Sequence, residues 1–152
     1  MNRINPATGP RLSAETVHAS TVASDGRAVL IMGPSGSGKS DLALRLIDRG
    51  FRLVSDDQTI VKKDGDRLVA TAPPTIAGKL EVRGIGIVDM ERVENVLIAL
   101  TIELTSEIQR LPDDSRERLI LGVHLPLIRL DASAASAPSK VALALNRIGL
   151  TF

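Results

Sequence analysis

Residues 33–40 most constrain the fold, because they form a glycine-rich loop with the sequence GPSGSGKS. This loop matches the pattern G-x-x-x-x-G-K-[ST] at every fixed position. A short apolar run at 27–32 precedes it, and a segment with helical spacing of apolar residues follows at 41–49. A strand, a glycine-rich turn and a helix in this order surround phosphate oxygens with backbone N–H groups and a helix N-terminus. The sequence therefore predicts an α/β fold that binds ATP or GTP.

Each part of the loop has an expected role in binding phosphate. The residues that we predict to wrap around the phosphates are Gly33, Pro34, Ser35, Gly36, Ser37 and Gly38. The ammonium group of Lys39 is expected to reach the β- and γ-phosphates, and the hydroxyl of Ser40 is a hard oxygen ligand suited to Mg²⁺.

The composition limits the other functions that a chain of 152 residues could have. Only Phe51 and Phe152 are aromatic, which excludes stacking platforms for bases, and a net charge of +1 indicates neither nucleic-acid nor membrane partners. The absence of cysteine excludes thiol nucleophiles, and no apolar run approaches the ~20 residues of a membrane span. We expect a cytoplasmic protein with a flexible tail at 1–14 and a single domain at 15–152.

The pattern along the rest of the chain predicts a β-rich domain with few helices. Gly50 is placed to end the first helix, and Pro138 with Ser136 to begin the second, whose apolar stripe comprises Val141, Leu145 and Ile148. Predicted strands, some of them joined in hairpins, lie at 16–23, 27–32, 51–54, 59–61, 68–71, 79–89, 95–104 and 119–130, the last divided at Gly122 and Pro126. The apolar run at 95–104 is also compatible with a helix, but its β-branched residues favour a strand. The strands at 27–32 and 51–54 are expected to form a parallel crossover unit with the helix between them.

Two aspartates, Asp56 and Asp57, follow the predicted strand at 51–54. In open α/β sheets, ligands bind beyond the carboxyl ends of the strands. Both carboxylates are therefore expected to face the bound phosphates. One can accept a proton from an attacking hydroxyl, and the other can hold Mg²⁺ or its water ligands. A surface turn is the alternative interpretation, because Ser-Asp-Asp is also good turn chemistry.

Three segments together resemble the catalytic domain of HPr kinase/phosphorylase. They are Thr16-Val17-His18 before the loop, Asp56-Asp57 after it, and the segment LEVRGIGI at 80–87, which is the most specific of the three. The resemblance implies a phosphate-loop fold similar to that of phosphoenolpyruvate carboxykinase. It also implies an ATP- and Mg²⁺-dependent kinase that phosphorylates a serine of a small HPr-like phosphocarrier protein, and a homo-oligomer, commonly a hexamer.

The resemblance also assigns roles to individual residues. It places the loop lysine at Lys39 and the metal-binding serine at Ser40. The proton-accepting aspartate falls on Asp57, with Asp56 beside it. The remaining assignments are Glu81 as a second metal-binding carboxylate, His18 as the active-site histidine and Arg110 as a later catalytic arginine.

Two departures from the family pattern affect these expectations. Full-length members carry a further N-terminal domain before the position of His18, so the chain corresponds to the catalytic part. A Pro- and Arg-rich segment that serves dephosphorylation in the family is replaced here by LPLIRLDAS at 125–133, where only Pro126 and Arg129 match. The resemblance thus supports phosphorylation of the carrier more than its reversal by phosphorolysis.

Two other functions share the same loop. A small-molecule kinase would normally follow it with helical substrate and lid segments, whereas residues 58–104 have β-like patterning. A non-catalytic nucleotide-binding regulatory module would not need catalytic side chains, whereas Lys39, Ser40, Asp57 and Glu81 are all present here. Transfer of labelled phosphate from ATP to a carrier protein, to a metabolite or to nothing distinguishes the three.

Overall fold

A computed structural model describes residues 13–108 and 116–152. Within these ranges the chain forms eleven strands and two helices, which confirms the expected β-rich α/β fold. The strands are β1 (Ala14–Val17), β2 (Ala19–Ser24), β3 (Arg27–Met32), β4 (Arg52–Ser55), β5 (Thr59–Asp64), β6 (Arg67–Thr71), β7 (Lys79–Val82), β8 (Gly86–Asp89), β9 (Val96–Leu104), β10 (Glu117–Ile120) and β11 (Val123–Leu130). The helices are α1 (Lys39–Asp48) and α2 (Ala137–Ile148).

Nine of these strands form one mixed sheet, in which the order β1-β5-β6-β9-β3-β2-β4 runs from edge to edge. Strand β9 is long enough to pair with β6 near its start and with β11 near its end, and β11 in turn pairs with β10. Strands β7 and β8 form a separate antiparallel hairpin. Strands β3, β9 and β11 are parallel, so their carboxyl ends share one edge of the sheet.

The central strand β3 is buried on both faces, as its uninterrupted apolar sequence predicts. Val29 and Ile31 face a cluster that contains the inner sides of α1 and α2, while Ala28, Leu30 and Met32 face a second cluster behind the sheet. The expected Gly50 has a φ of 103° just past α1, which is the left-handed conformation typical of a helix end. Neither helix in the described ranges has both the length and the apolar character needed to cross a bilayer.

Long-range pairing changes two of the predicted strands. The strand predicted at 16–23 is divided at His18, because β1 pairs with β5 whereas β2 pairs with β3 and β4. The strand predicted at 51–54 is β4, and it runs parallel to β3 as expected, but β2 lies between the two and is antiparallel to both. Both differences come from strands that meet across tens of residues, which local patterning does not encode.

Two predictions near the C-terminus are also corrected. Pro126 does not interrupt β11; it lies where β11 changes partner from β10 to β9, a position that tolerates the missing N–H. Ile148 is 47% exposed and does not continue the buried stripe of Val141 and Leu145. It lies in the last turn of α2, and the buried side of that helix includes Ala137 and Pro138 instead.

Candidate active site

The loop predicted to bind phosphate connects the end of β3 to the start of α1. Gly36 and Gly38 have φ values of 79° and 99°, a left-handed conformation that L side chains rarely adopt. The N–H of Leu42 donates to the carbonyl of Gly38 at 2.9 Å, so the first turn of α1 begins at the loop. This brings the positive end of the helix dipole to the glycine-rich turn.

Two polar groups of the loop face inward. Lys39 is only 6% exposed, and its Nζ donates to the carbonyls of Gly33 at 2.9 Å and Pro34 at 3.1 Å. The hydroxyl of Ser37 is buried and has no hydrogen-bond partner among the described residues. A buried hydroxyl without a partner is costly, so the loop presents a donor that a phosphate oxygen would satisfy.

Asp56 connects three segments of the chain. Its Oδ1 accepts hydrogen bonds from Ser20 Oγ at 2.8 Å and from Ser40 Oγ at 2.6 Å, and its Oδ2 accepts one from the backbone N–H of Glu81 at 3.0 Å. The residue is 7% exposed, so these bonds supply the partners that a buried carboxylate requires. Asp56 therefore fixes β2, the start of α1 and the β7–β8 hairpin around one point.

Asp57, which with Asp56 follows the end of β4, points its side chain toward solvent. Its backbone has a φ of 68°, a strained conformation for a non-glycine residue that is frequent at functional sites. The Nε2–H of His18 donates to Oδ1 of Asp57 at 2.7 Å, and the N–H of Asp57 donates to Ser20 Oγ at 3.1 Å. The side chains of His18 and Asp57 are both more than half exposed, so the Asp57 carboxylate is oriented and still accessible to a substrate.

Two cavities of about 1000 Å³ each flank the loop. The first, which we call the groove, is lined by the loop residues from Ser35 onward, by Asp57 and by the part of the β7–β8 hairpin that runs from Glu81 to Gly86. The second is lined by His18, by the start of the loop and by charged side chains at the ends of β9 and β11. Ser37 and Ala132 line both cavities, so the loop and the turn after β11 separate them.

The residues present fit a hard divalent cation. Ser40 Oγ and Asp56 Oδ1 lie 2.6 Å apart, and Glu81 lies on β7 of the neighbouring hairpin. The described residues contain no group of three or more carboxylate or imidazole side chains able to hold a metal by themselves. Few protein ligands beside a phosphate loop are typical of Mg²⁺, which keeps several waters and binds mainly to substrate phosphates.

The comparisons with known proteins identify the family. The model of the HPr Serine kinase C-terminal domain family matches residues 11–145. The chain belongs to this family. Curated relatives named HPr kinase/phosphorylase include those of Chlorobium phaeobacteroides, 36% identical over 126 residues, and Chlorobaculum tepidum, 39% identical over 127 residues. Each match covers 74% of this chain and 37% of the relative.

Other relatives extend the comparison. The HPr kinase/phosphorylase of Cupriavidus necator is 36% identical over 138 residues, which cover 82% of this chain and 43% of the relative. The chain thus spans about two fifths of the length of the curated relatives it matches. A solved structure of the Hpr(Ser) kinase/phosphatase from Coxiella burnetii superposes with a TM-score of 0.75 at 30% identity, covering 87% of this chain and 94% of that one. Membership in the family and the type of fold predicted from the sequence are therefore confirmed.

Most of the site residues expected for this family lie close together in the structure. The residues brought to one edge of the sheet are His18, the loop from Gly33 to Ser40, Asp56, Asp57 and Glu81. Arg110 lies outside the described residues. Arg129, which with Pro126 matches the family's Pro- and Arg-rich segment, lines the second cavity and forms an ion pair with Glu103.

Sequence reasoning missed two residues that support the site. Ser20 bonds to both Asp56 and Asp57; its spacing of two from His18 within a strand-like stretch could have indicated that both face the aspartates. Arg45 of α1 donates to the carbonyls of Ala132 and Ala134, which fixes the turn that separates the cavities. No local sequence pattern predicts that second contact, because it joins residues 87 positions apart.

The turn after β11 is also fixed from within. Asp131 Oδ1 accepts hydrogen bonds from the hydroxyl of Ser133 at 2.6 Å and from its N–H at 2.9 Å. Both bonds lower the pKa of Asp131 from its usual value, and the bond from the hydroxyl has the larger effect. The carboxylate therefore stays ionised in mildly acidic solution and keeps the turn in place beside the loop.

Gly38→Ala is expected to weaken nucleotide binding in this family member by more than about tenfold. A β-carbon at Gly38 would lie 3.1 Å from the β-carbon of Ala132, and the left-handed backbone adds a cost of about 1–2 kcal/mol. Gly65→Ala is the control, since Gly65 has a φ of 65° with open space around it. Equilibrium binding of a fluorescent nucleotide should weaken only for Gly38→Ala. If both variants bound the nucleotide as tightly as wild type, the close approach of Gly38 to Ala132 would not determine the shape of the loop.

His18→Ala is expected to lower phosphoryl transfer by about 10- to 100-fold, because the Asp57 carboxylate loses the donor that orients it. His124→Ala is a matched control. His124 is also exposed and also faces a carboxylate, that of Glu117 at 3.5 Å, but it lines neither cavity. Initial rates with both variants decide the question, and similar losses in the two would argue against a role for the His18–Asp57 contact.

Proposed function

We propose that the chain is the catalytic part of an ATP-dependent protein-serine kinase that phosphorylates a small HPr-like phosphocarrier protein. One observation carries this proposal: Ser40 and Asp56 are in contact beside the phosphate loop, and the accessible carboxylate of Asp57 adjoins them. Binding of a nucleotide and acceptance of a proton are thereby combined at one edge of the sheet. The names of the relatives supply the acceptor, HPr.

ATP and Mg²⁺ are the donor and the metal that best suit these side chains. The loop backbone, Lys39 and the buried Ser37 hydroxyl would hold the phosphates, and Ser40, Asp56 and Glu81 would hold the metal directly or through water. When bound, Mg²⁺ neutralises charge on the phosphate oxygens. The chain itself supplies positioning and charge stabilisation, which account for most of the catalysis of phosphoryl transfer.

Asp57 is proposed to receive the proton of the acceptor serine. As the serine oxygen forms its bond to the γ-phosphorus, the bond from that phosphorus to the bridging oxygen breaks and its electrons remain with ADP. The serine proton passes to Asp57 and then to solvent. The hydrogen bond from His18 keeps the receiving oxygens in one orientation during this step.

A phosphotransfer assay tests the proposed function. The chain is incubated with labelled ATP, Mg²⁺ and purified HPr, and in parallel with a metabolite pool. Label on a serine of HPr is the expected result. Label on a metabolite would indicate a small-molecule kinase, against which the succession of strands from β5 to β9 argues. Nucleotide binding without transfer to either would indicate a regulatory module, and both of these results would contradict the proposal.

Two further expectations for this kinase have their own tests. Reversal by inorganic phosphate is expected to be weak, which incubation of phosphorylated HPr with phosphate would measure. A homo-oligomer, a hexamer by family resemblance, is proposed and can be tested by light scattering. A cytoplasmic location also remains a prediction.

A further inference from the structure

The β7–β8 hairpin carries two isoleucines that are exposed to an unusual degree. Ile85 is 77% exposed in the turn and Ile87 is 72% exposed on β8, the highest values among the exposed large hydrophobic side chains of the described residues. Gly84 and Gly86 lie on either side of Ile85, and no atom lies within 4 Å of the β-carbon that either would carry. The surface around the two isoleucines, which we call the hairpin patch, is therefore open.

The patch departs from the alternation of its own hairpin. Leu80 and Val88 are opposite one another on the inner face, where Leu80 is fully buried in the main core. Lys79 and Asp89 are opposite one another on the outer face and form an ion pair at 2.9 Å. Antiparallel strands with one wet face normally place polar side chains there, so Ile87 is an exception that the core does not require.

The patch has a fixed position relative to the active site. Ile87 is directly opposite Glu81, so their side chains share the outer face of the hairpin with β-carbons about 5 Å apart. The N–H of Glu81 donates to Asp56, and Ile85 lines the groove together with Asp57. A molecule that reaches Asp57 through the groove would therefore pass beside Ile85, and Ile87 lies next to Glu81 of the same lining.

We infer that the hairpin patch is the docking surface for an apolar patch on the phosphocarrier protein, next to its acceptor serine. This inference rests on the proposed function, because it requires that the acceptor is a protein. The patch is also far smaller than the ~800 Å² that each partner contributes to a stable interface, which favours a transient enzyme–substrate contact over self-association. Burial of two isoleucines is sufficient to increase the affinity for a small protein roughly 10- to 100-fold.

The double variant Ile85→Thr/Ile87→Thr tests the inference, because threonine is small and polar and keeps the β-branch that strands favour. Leu143→Thr/Ile148→Thr is the matched control; these side chains are 55% and 47% exposed on α2 and line neither cavity. Calorimetry measures binding of HPr and, separately, of ATP to each variant of the 152-residue chain, and transfer assays give KM for HPr. We expect the hairpin variant to weaken HPr binding and raise KM roughly 10- to 100-fold, with ATP affinity and the control unchanged.

Each other result has a definite meaning. Weakened ATP binding with unchanged HPr affinity would assign the patch to the nucleotide and overturn the inference. Unchanged HPr affinity, equal losses in the two variants, or no HPr binding by the wild-type chain would overturn it as well. HPr binding that depends on the patch, in a wild-type chain that transfers no phosphate, would uphold the docking surface and reject the kinase function.

Discussion

Asp57→Asn is expected to lower phosphoryl transfer to HPr by about 10²- to 10⁴-fold, the range that general-base catalysis contributes, while ATP affinity stays within about twofold. The amide has the shape of the carboxylate but cannot accept the serine proton. Asparagine also tolerates the left-handed backbone of this residue, whose φ is 68°, so the fold should be retained. Single-turnover transfer rates and equilibrium ATP binding measure the two effects separately.

The control for this variant is Asp25→Asn. Asp25 is another exposed aspartate with positive φ, at 52°, but it lies in the β2–β3 turn, at the opposite ends of the strands from the loop. The Asp25→Asn variant should transfer phosphate at the wild-type rate. If Asp57→Asn turned over normally, the proton would have to go elsewhere, and the proposed role of Asp57 would be wrong.

The parts of the fold that the sequence predicts well have short-range causes. The strand at Arg27–Met32, the loop and α1 form one continuous segment in which apolar runs and glycines act within a few residues of one another. The hairpin of β5 and β6 is equally local, because the turn at Gly65 joins strands that are neighbours along the chain. The same reasoning correctly places Asp56 and Asp57 at a strand end beside the loop.

The parts that the sequence could not predict depend on distant partners. Strand β2 lies between β3 and β4, and the chain divides at His18 so that β1 pairs with β5 instead of with the partners of β2. Both features follow from pairing across the whole sheet. The difference in burial between the two aspartates has the same kind of cause. Asp56 is buried because Ser20, Ser40 and Glu81 converge on it from three elements, and nothing within the dipeptide distinguishes it from its exposed neighbour.

This difference in burial leads to the second large effect that we expect. Asp56→Ala should destabilise the fold by about 2–4 kcal/mol, because it leaves two serine hydroxyls and one backbone N–H without their acceptor. It should also lower transfer by at least about 10²-fold through the loss of a proposed metal ligand. Asp56→Asn keeps the volume and one acceptor oxygen, so it should unfold at a denaturant concentration closer to wild type yet lose activity to the same degree. Chemical denaturation and Mg²⁺ titrations of the transfer rate give the two quantities.

Thr101→Val separates loss of stability from loss of function. Thr101 is fully buried, and its hydroxyl donates to the carbonyl of Pro126 at 2.7 Å. Neither residue lines either cavity. Its loss should cost about 1 kcal/mol and leave transfer unchanged under native conditions. If Asp56→Asn behaved like Thr101→Val, with reduced stability but normal transfer and normal Mg²⁺ dependence, Asp56 would be a purely structural carboxylate. Since Ser40 Oγ donates to the same oxygen of Asp56 that Ser20 contacts, we expect instead that charge at this oxygen is required for the metal-dependent step.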